Sequence, residues 1–233
     1  MKVLKILIFL LVLIMSVGAV CAANATFDDM LSDDNQDNLK TTQVDMSAIG
    51  ESQYTFTDLK KNISSSGDVL NIDADYKYNN KTEPKSGILI KKDNFTINGN
   101  NHIVDGSGQL AIFKITGKNV TINNWVIVNG NSANGGAMHV TGQVTLNNVT
   151  FINNNASKNG GAIYVTVGGT VNCYDSHFID NYADSGSSIY SYKGTLNVRD
   201  SYLTSKASNK FAQIYVENSK LNLDNISIAD IIS

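Results

Sequence analysis

The chain reads as an all-β protein: a single-stranded parallel β-helix with three short strands per coil, about six to seven coils and a short N-terminal capping helix. Three observations point there. A phrase recurs: Asn134 to Val165 opens on N-G-G-A-M-H-V and closes on N-G-G-A-I-Y-V, with T-G-Q-V-T-L-N-N-V-T-F-I-N-N-N between. The apolar residues around it fall into columns at steps of 24 to 27 residues. Units of that length leave no room for crossover helices, so successive strands must stack coil upon coil at about the 4.8 Å strand spacing.

The columns carry the fold class. Met138, Ile163, Ile189 and Ile214 form one, and a step back from Met138 lands on Ile112. Leu70, Phe95, Val120, Val144, Val171, Leu196 and Leu221 form a second, with Ile72, Ile97, Ile122, Leu146, Cys173, Val198 and Leu223 two residues on. Another is Ile103, Ile127, Phe151, Phe178, Leu203 and Ile228. Within each strand the apolar member recurs at period two, so it points inward and its neighbour outward. The register at Phe113 stays open, because Phe113 and Ile115 could both face in. At roughly 1.5 to 3 kcal/mol per fully buried large apolar side chain, such columns can offset the entropy of ordering the strands.

In chain order, residues 1–22 have the pattern of an export signal. Lys2 and Lys5 open it, Val3 to Met15 is otherwise apolar, and Gly18, Ala19, Ala22 and Ala23 offer small residues for cleavage. A retained anchor is the alternative, although the apolar run is short against the roughly 20 residues of a membrane span. A lipoprotein site at Cys21 is a weaker one, since bulky Val20 precedes it. Residues 23–53 read as an acidic disordered linker: Asn24 to Gln53 holds six aspartates and Glu51 against Lys40. The repeat domain is 54–233. Phe56, Leu59 and Ile63 share one helical face behind Thr55 or Thr57 as a cap, which predicts a lid over the first coil, ended by Gly67. Val69 to Ile72 is the first strand, and Asp73 to Ser86 a loop carrying the single proline, Pro84. Ile88 to Ile90 and Phe95 to Ile97 begin regular stacking, with a tight N-G-N-N turn at Asn98 to Asn101. The sequence stops on Ile231-Ile232-Ser233 partway through a coil, which predicts further coils or a docking partner at that open edge.

Charge and cysteine content narrow the function classes. The formal charge of −3 becomes −5 without the two signal lysines, while Tyr54 to Ser233 holds 15 basic and 14 acidic residues. A nearly neutral repeat domain lacks the basic face that nucleic-acid binders show. Without the signal, Cys173 is the one cysteine left; it lies in an inward column, which predicts a small core hydrophobe and no internal disulfide.

Gly160-Gly161-Ala162-Ile163, with Phe151-Ile152-Asn153-Asn154 and Phe178-Ile179-Asp180-Asn181, resembles the GGAI and FxxN repeats of the chlamydial polymorphic outer-membrane proteins. The wider frame resembles the adhesin-like surface proteins of methanogenic archaea, through Phe56-Thr57-Asp58-Leu59, Val69-Leu70-Asn71-Ile72, Tyr76-Lys77-Tyr78, Gly87-Ile88-Leu89-Ile90 and Phe95-Thr96-Ile97-Asn98-Gly99-Asn100. This second resemblance covers Tyr54 to the end. Both families are pectin-lyase-like parallel β-helices. The resemblance implies right-handed coiling, a secreted or cell-surface location, a membrane met only during export, and adhesion to host, cell-wall or community polysaccharide or protein. The chain is short for such relatives.

Two constellations could carry function. Tyr164, Tyr190 and Tyr215 each follow the inward Ile of the first strand, with His139 and Phe113 at matching places. By parity they point outward, as a stack of rings or as a stripe for an extended ligand. Asn124, Asn148, Asp175, Asp200 and Asn225 occupy equivalent turns. That column reads as a side-chain ladder that hides Asn148 and Asn225. The alternative is a polysaccharide lyase or glycoside hydrolase in which Asp175 and Asp200, on adjacent rungs, lie near the roughly 5 Å of retaining glycosidases. An acidic-polymer enzyme would also want basic side chains against its substrate, and Arg199 is the single arginine. No spacing among His102, His139 and His177 suits a metal cage, and no cofactor motif is present. Eight N-x-S/T sequons occur, of which Asn80 and Asn155 are the best placed for glycosylation. Gly135-Gly136 and Gly160-Gly161 predict positive φ or close backbone approach.

Overall fold

Each coil bends at three corners, and at each the sequence supplies residues that tolerate a left-handed backbone. Most L-residues pay roughly 1–2 kcal/mol there, Asn, Asp and Gly least. In the computed structural model, which describes residues 54–206 and 212–231, the first corner holds Asn124, Asn148, Asp175, Asp200 and Asn225 at φ of 47° to 51°. The second holds Asn129, Asn153 and Asp180 at 52° to 54°. The same second corner ends on Gly135, Gly160 and Gly186 at 61° to 66°, and the third, which turns back into the next coil, holds Asn119, Gly168, Lys193 and Asn218 at 50° to 78°. The expected signal at 1–22 and linker at 23–53 lie outside the described residues.

Between these corners run three parallel sheets. Among the described residues, sheet one has seven strands: Val69–Asn71, Thr96–Asn98, Val120–Asn123, Gln143–Asn147, Thr170–Tyr174, Thr195–Arg199 and Lys220–Asp224. Sheet two has eight: Tyr54–Thr55, Tyr76–Lys77, Ile103–Asp105, Val126–Val128, Thr150–Ile152, His177–Ile179, Tyr202–Lys206 and Ser227–Ile231. Sheet three has six: Ile88–Ile90, Phe113–Ile115, Met138–Val140, Ile163–Val165, Ile189–Tyr192 and Ile214–Glu217. The solenoid of three strands per coil is therefore as the columns predict. Its core is dry and stacked: Phe151 and Phe178 lie parallel at 4.9 Å, and Ile163, Val144, Cys173 and Leu203 are buried. Burial pushes the Cys173 thiol far up, out of reach of thiolate chemistry.

The lid is helix α1, Phe56–Ser65. Thr55 and Asp58 close a reciprocal capping box, and Phe56, Leu59 and Ile63 face the core. The Glu83 carboxylate accepts from the backbone N–H groups of Phe56 and Thr57, a charge where the helix dipole favours it. Trp125, fully buried, packs on Phe113 at 5.2 Å. It fits because Gly99 lies one coil back: a Cβ there would stand 2.4 Å from the Trp125 Cβ.

Four details differ from the sequence-based expectation. Met138 pairs with Phe113, not Ile112, so Phe113 faces in and Lys114 takes the outward place beside His139. Leu70 pairs with Ile97, not Phe95. Val104, not Ile103, stacks on Ile127. The segment read as a loop from Asp73 contains the strand Tyr76–Lys77, with Tyr76 and Tyr78 buried. A short extra pair, Asn131–Asn134 with Asn155–Asn159, widens the corner between sheets two and three in two coils.

Candidate functional site

Register fixes the outward column of sheet three as Leu89, Lys114, His139, Tyr164, Tyr190 and Tyr215. The four predicted ligand residues are thus brought together. His139 meets Tyr164 edge-on at 5.1 Å. Tyr164 stacks on Tyr190 at 5.5 Å and 27°, and Tyr190 on Tyr215 at 5.1 Å and 5°. The rings spend their faces on one another, so the side of the stack, with its ring edges, is what faces away from the core. Tyr190 is the best covered, 7% exposed, and its hydroxyl donates to Glu217 Oε2 at 2.7 Å. Burial and that carboxylate push its pKa well above the ordinary phenol value. Burial, then the Lys114 charge, lowers the His139 pKa. Its Nε2 is buried without a hydrogen-bond partner.

Toward the lid the same column opens into a groove of about 920 Å³. Leu89, Lys114 and His139 line it together with Lys85, Lys91 and the strand Asn131–Asn134. The sequence reading missed Lys85, Leu89, Lys91 and Lys114. The signal was Lys114, which the correct register at Phe113 places one coil from His139.

Asp175 and Asp200 sit elsewhere, exposed at the corner between sheets one and two. Asp200 is engaged by Arg199 Nε at 3.1 Å and by Asn225 Nδ2 at 2.6 Å. Asn148 Nδ2 likewise donates to Asn124 Oδ1 at 2.8 Å. The corner ladder exists, but it lies on the surface; Asn148 and Asn225 are exposed, not hidden. Their residue type answers first to the left-handed backbone. The buried ladder is a different pair. Asn154 Nδ2 donates to Asn181 Oδ1 and to the Ile127 carbonyl, each at 3.0 Å, and Asn181 Nδ2 donates to the Phe151 carbonyl at 3.0 Å. The F-x-x-N phrase was its signal.

His102 contacts Asp75 Oδ1 at 3.0 Å, far in sequence from His139 on sheet three and His177 on sheet two. Among the described residues no group of three or more His, Cys, Asp or Glu is placed to hold a metal ion.

Residues 148–166 match the Chlamydia polymorphic membrane protein repeat. The matched stretch runs from the corner Asn148 through the buried Asn154 to the stripe residue Tyr164. No curated protein and no solved structure matches the chain.

Proposed function

We propose that this chain is an exported, non-catalytic, adhesin-like protein, secreted or held at the cell surface. It contacts host, cell-wall or community polymers through the outer face of sheet three. The observation that carries this reading is the unbroken column of His139, Tyr164, Tyr190 and Tyr215. The outward columns of sheet one, by contrast, are dominated by amides and hydroxyls, with amides such as Asn98, Asn123 and Asn147 bonded to their own kind. The matched repeat supports a surface setting, and the resemblance to methanogen adhesin-like proteins supports the role.

An extended glycan or peptide would run along the solenoid axis, one contact per coil, against ring edges. For the enzymatic alternative, Asp200 is already held by two neighbours, and among the described residues Arg199 is the single arginine.

The test is a glycan and surface-extract binding array, comparing the wild type with a Tyr164→Ser/Tyr190→Ser/Tyr215→Ser variant whose fold is checked by circular dichroism. Loss of binding in the variant is expected. Undiminished binding would move the contact surface off the stripe. Turnover of an acidic polysaccharide that disappears in Asp200→Asn would replace this reading by the lyase or hydrolase one.

A further inference from the structure

The groove at the lid end of sheet three has a chemistry of its own. Its charged lining is Lys85, Lys91 and Lys114, all exposed, and neither Asp nor Glu takes part. This is notable in a chain whose formal charge is −3. Leu89, half exposed at 50%, gives the floor an apolar patch. One wall is the strand Asn131–Asn134, and that strand has a single strand neighbour, Asn155–Asn159. On its other flank, Asn131 N donates to the Leu110 carbonyl at 2.9 Å. From Ser132 to Asn134 the strand then runs along the groove. The preceding coil has no strand there, because its corner between sheets two and three is shorter: seven residues lie between Asp105 and Phe113, against nine between Val128 and Met138.

We propose that this groove binds an extended acidic peptide segment, which lies beside the strand Asn131–Asn134 and presents carboxylates to Lys85, Lys91 and Lys114. An extended peptide alternates its side chains between two sides. Acidic residues at every second position can reach the lysines while apolar ones between them cover Leu89. Main-chain hydrogen bonds to an edge strand supply affinity that does not depend on side chains, and the lysines supply selectivity and fast encounter. The site meets the stripe only at His139 and uses different coils from the three tyrosines, so the tyrosine variant tests the two separately.

The test is fluorescence anisotropy with a short labelled peptide of alternating Glu and Val. Binding that weakens with added salt is expected. A Lys85→Glu/Lys91→Glu/Lys114→Glu variant should bind about tenfold more weakly or worse, while Lys118→Glu, an exposed lysine outside the groove, should bind as the wild type does. N-methylation of alternate peptide amides, which removes the strand-pairing donors without touching the protein, should also abolish binding. The Tyr164→Ser/Tyr190→Ser/Tyr215→Ser variant should retain it. The proposal is overturned if the N-methylated peptide binds as tightly as the parent, if dextran sulfate binds equally well, or if Lys118→Glu is as damaging as the groove variant. Those results would mean simple attraction of anions to surface lysines.

Discussion

Asn154 offers the sharpest test of what holds the coils in register. It is fully buried, and its side chain and backbone N–H together serve four hydrogen bonds. Its Nδ2 donates to the Ile127 carbonyl and to Asn181 Oδ1, each at 3.0 Å. Its Oδ1 accepts from Gly130 N at 2.8 Å, and its backbone N–H donates to Asn181 Oδ1 at 3.0 Å. Asn154→Ala keeps the last of these and strands two interior main-chain groups, the Gly130 N–H and the Ile127 carbonyl. An unsatisfied buried group costs about 1–3 kcal/mol. With the lost packing of the amide, the total is about 4 kcal/mol, a large share of the 5–15 kcal/mol of an ordinary domain.

The control is Asn147→Ala on the same coil. Asn147 is half-buried on the outer face of sheet one, and its Nδ2 donates to Asn123 Oδ1 at 2.8 Å. Water can replace that bond, so the loss is about 0.6 kcal/mol. With a urea slope of roughly 2 kcal/mol/M, the midpoint should fall by about 2 M for Asn154→Ala and about 0.3 M for Asn147→Ala. Urea titration followed by far-ultraviolet circular dichroism measures both. Equal shifts would refute the assignment of Asn154 as the internal tie.

Three further outcomes follow from the same geometry. Ile163→Asp should unfold the domain, since it drives an unpaired charge into a dry column, while outward Thr150→Asp should shift the midpoint little; similar urea midpoints would invert the inside and outside of the strands. Gly161→Ala would place a Cβ 2.1 Å from the Ser187 carbonyl oxygen and should cost several kcal/mol, whereas Gly168→Ala, with open space but φ of 78°, should cost about 1–2 kcal/mol in thermal melts. His139 and His177 have pKa values held below the ordinary 6.5, chiefly by burial. The unfolded chain therefore takes up protons first as pH falls through 6.5: their contribution is whole above that pH and declines toward pH 5. Urea midpoints measured across this window should fall in the wild type and stay flatter in His139→Gln/His177→Gln.

The inward columns were legible because period two and a coil step near 25 residues are both visible in the residues themselves. Register failed where adjacent apolar residues left parity undecided. Ala111-Ile112-Phe113 offers two inward candidates, and the choice depends on how many residues the corner between sheets two and three consumes, which is shorter in that coil than in the next two. Ile103-Val104 is the same problem: Asn100 and Asn101 both take positive φ, 51° and 63°, where later coils use one residue such as Asn124. Four residues lie between Asn98 and Ile103, against two between their partners Asn123 and Val126, so a step of 24 back from Ile127 lands on Ile103, one residue off and on the opposite face. Asn154 was hidden for a related reason. In the run Asn153-Asn154-Asn155 the first residue is left-handed at φ of 52°, which breaks the alternation and turns the middle amide inward.

The location of function follows from what a solenoid leaves free to vary. Inward positions must fill a constant cross-section and corners must bend, so chemistry can change only on outward faces. Sheet one spends much of its outward positions on self-matching pairs: Asn172, Asn197 and Asn222 bond in sequence at 2.6 and 2.5 Å. Along such a ladder every rung presents the same group. Sheet three does the opposite. From the lid onward its outward residues are an exposed leucine, a lysine, a histidine whose proton affinity is lowered, and three stacked phenols, the middle one tied to Glu217. A linear ligand along this column meets cations at one end and ring edges near a carboxylate at the other. On the proposed reading, a linear ligand with an acidic end and a basic end would be held in one direction along this face, which a uniform stripe of tyrosines could not impose.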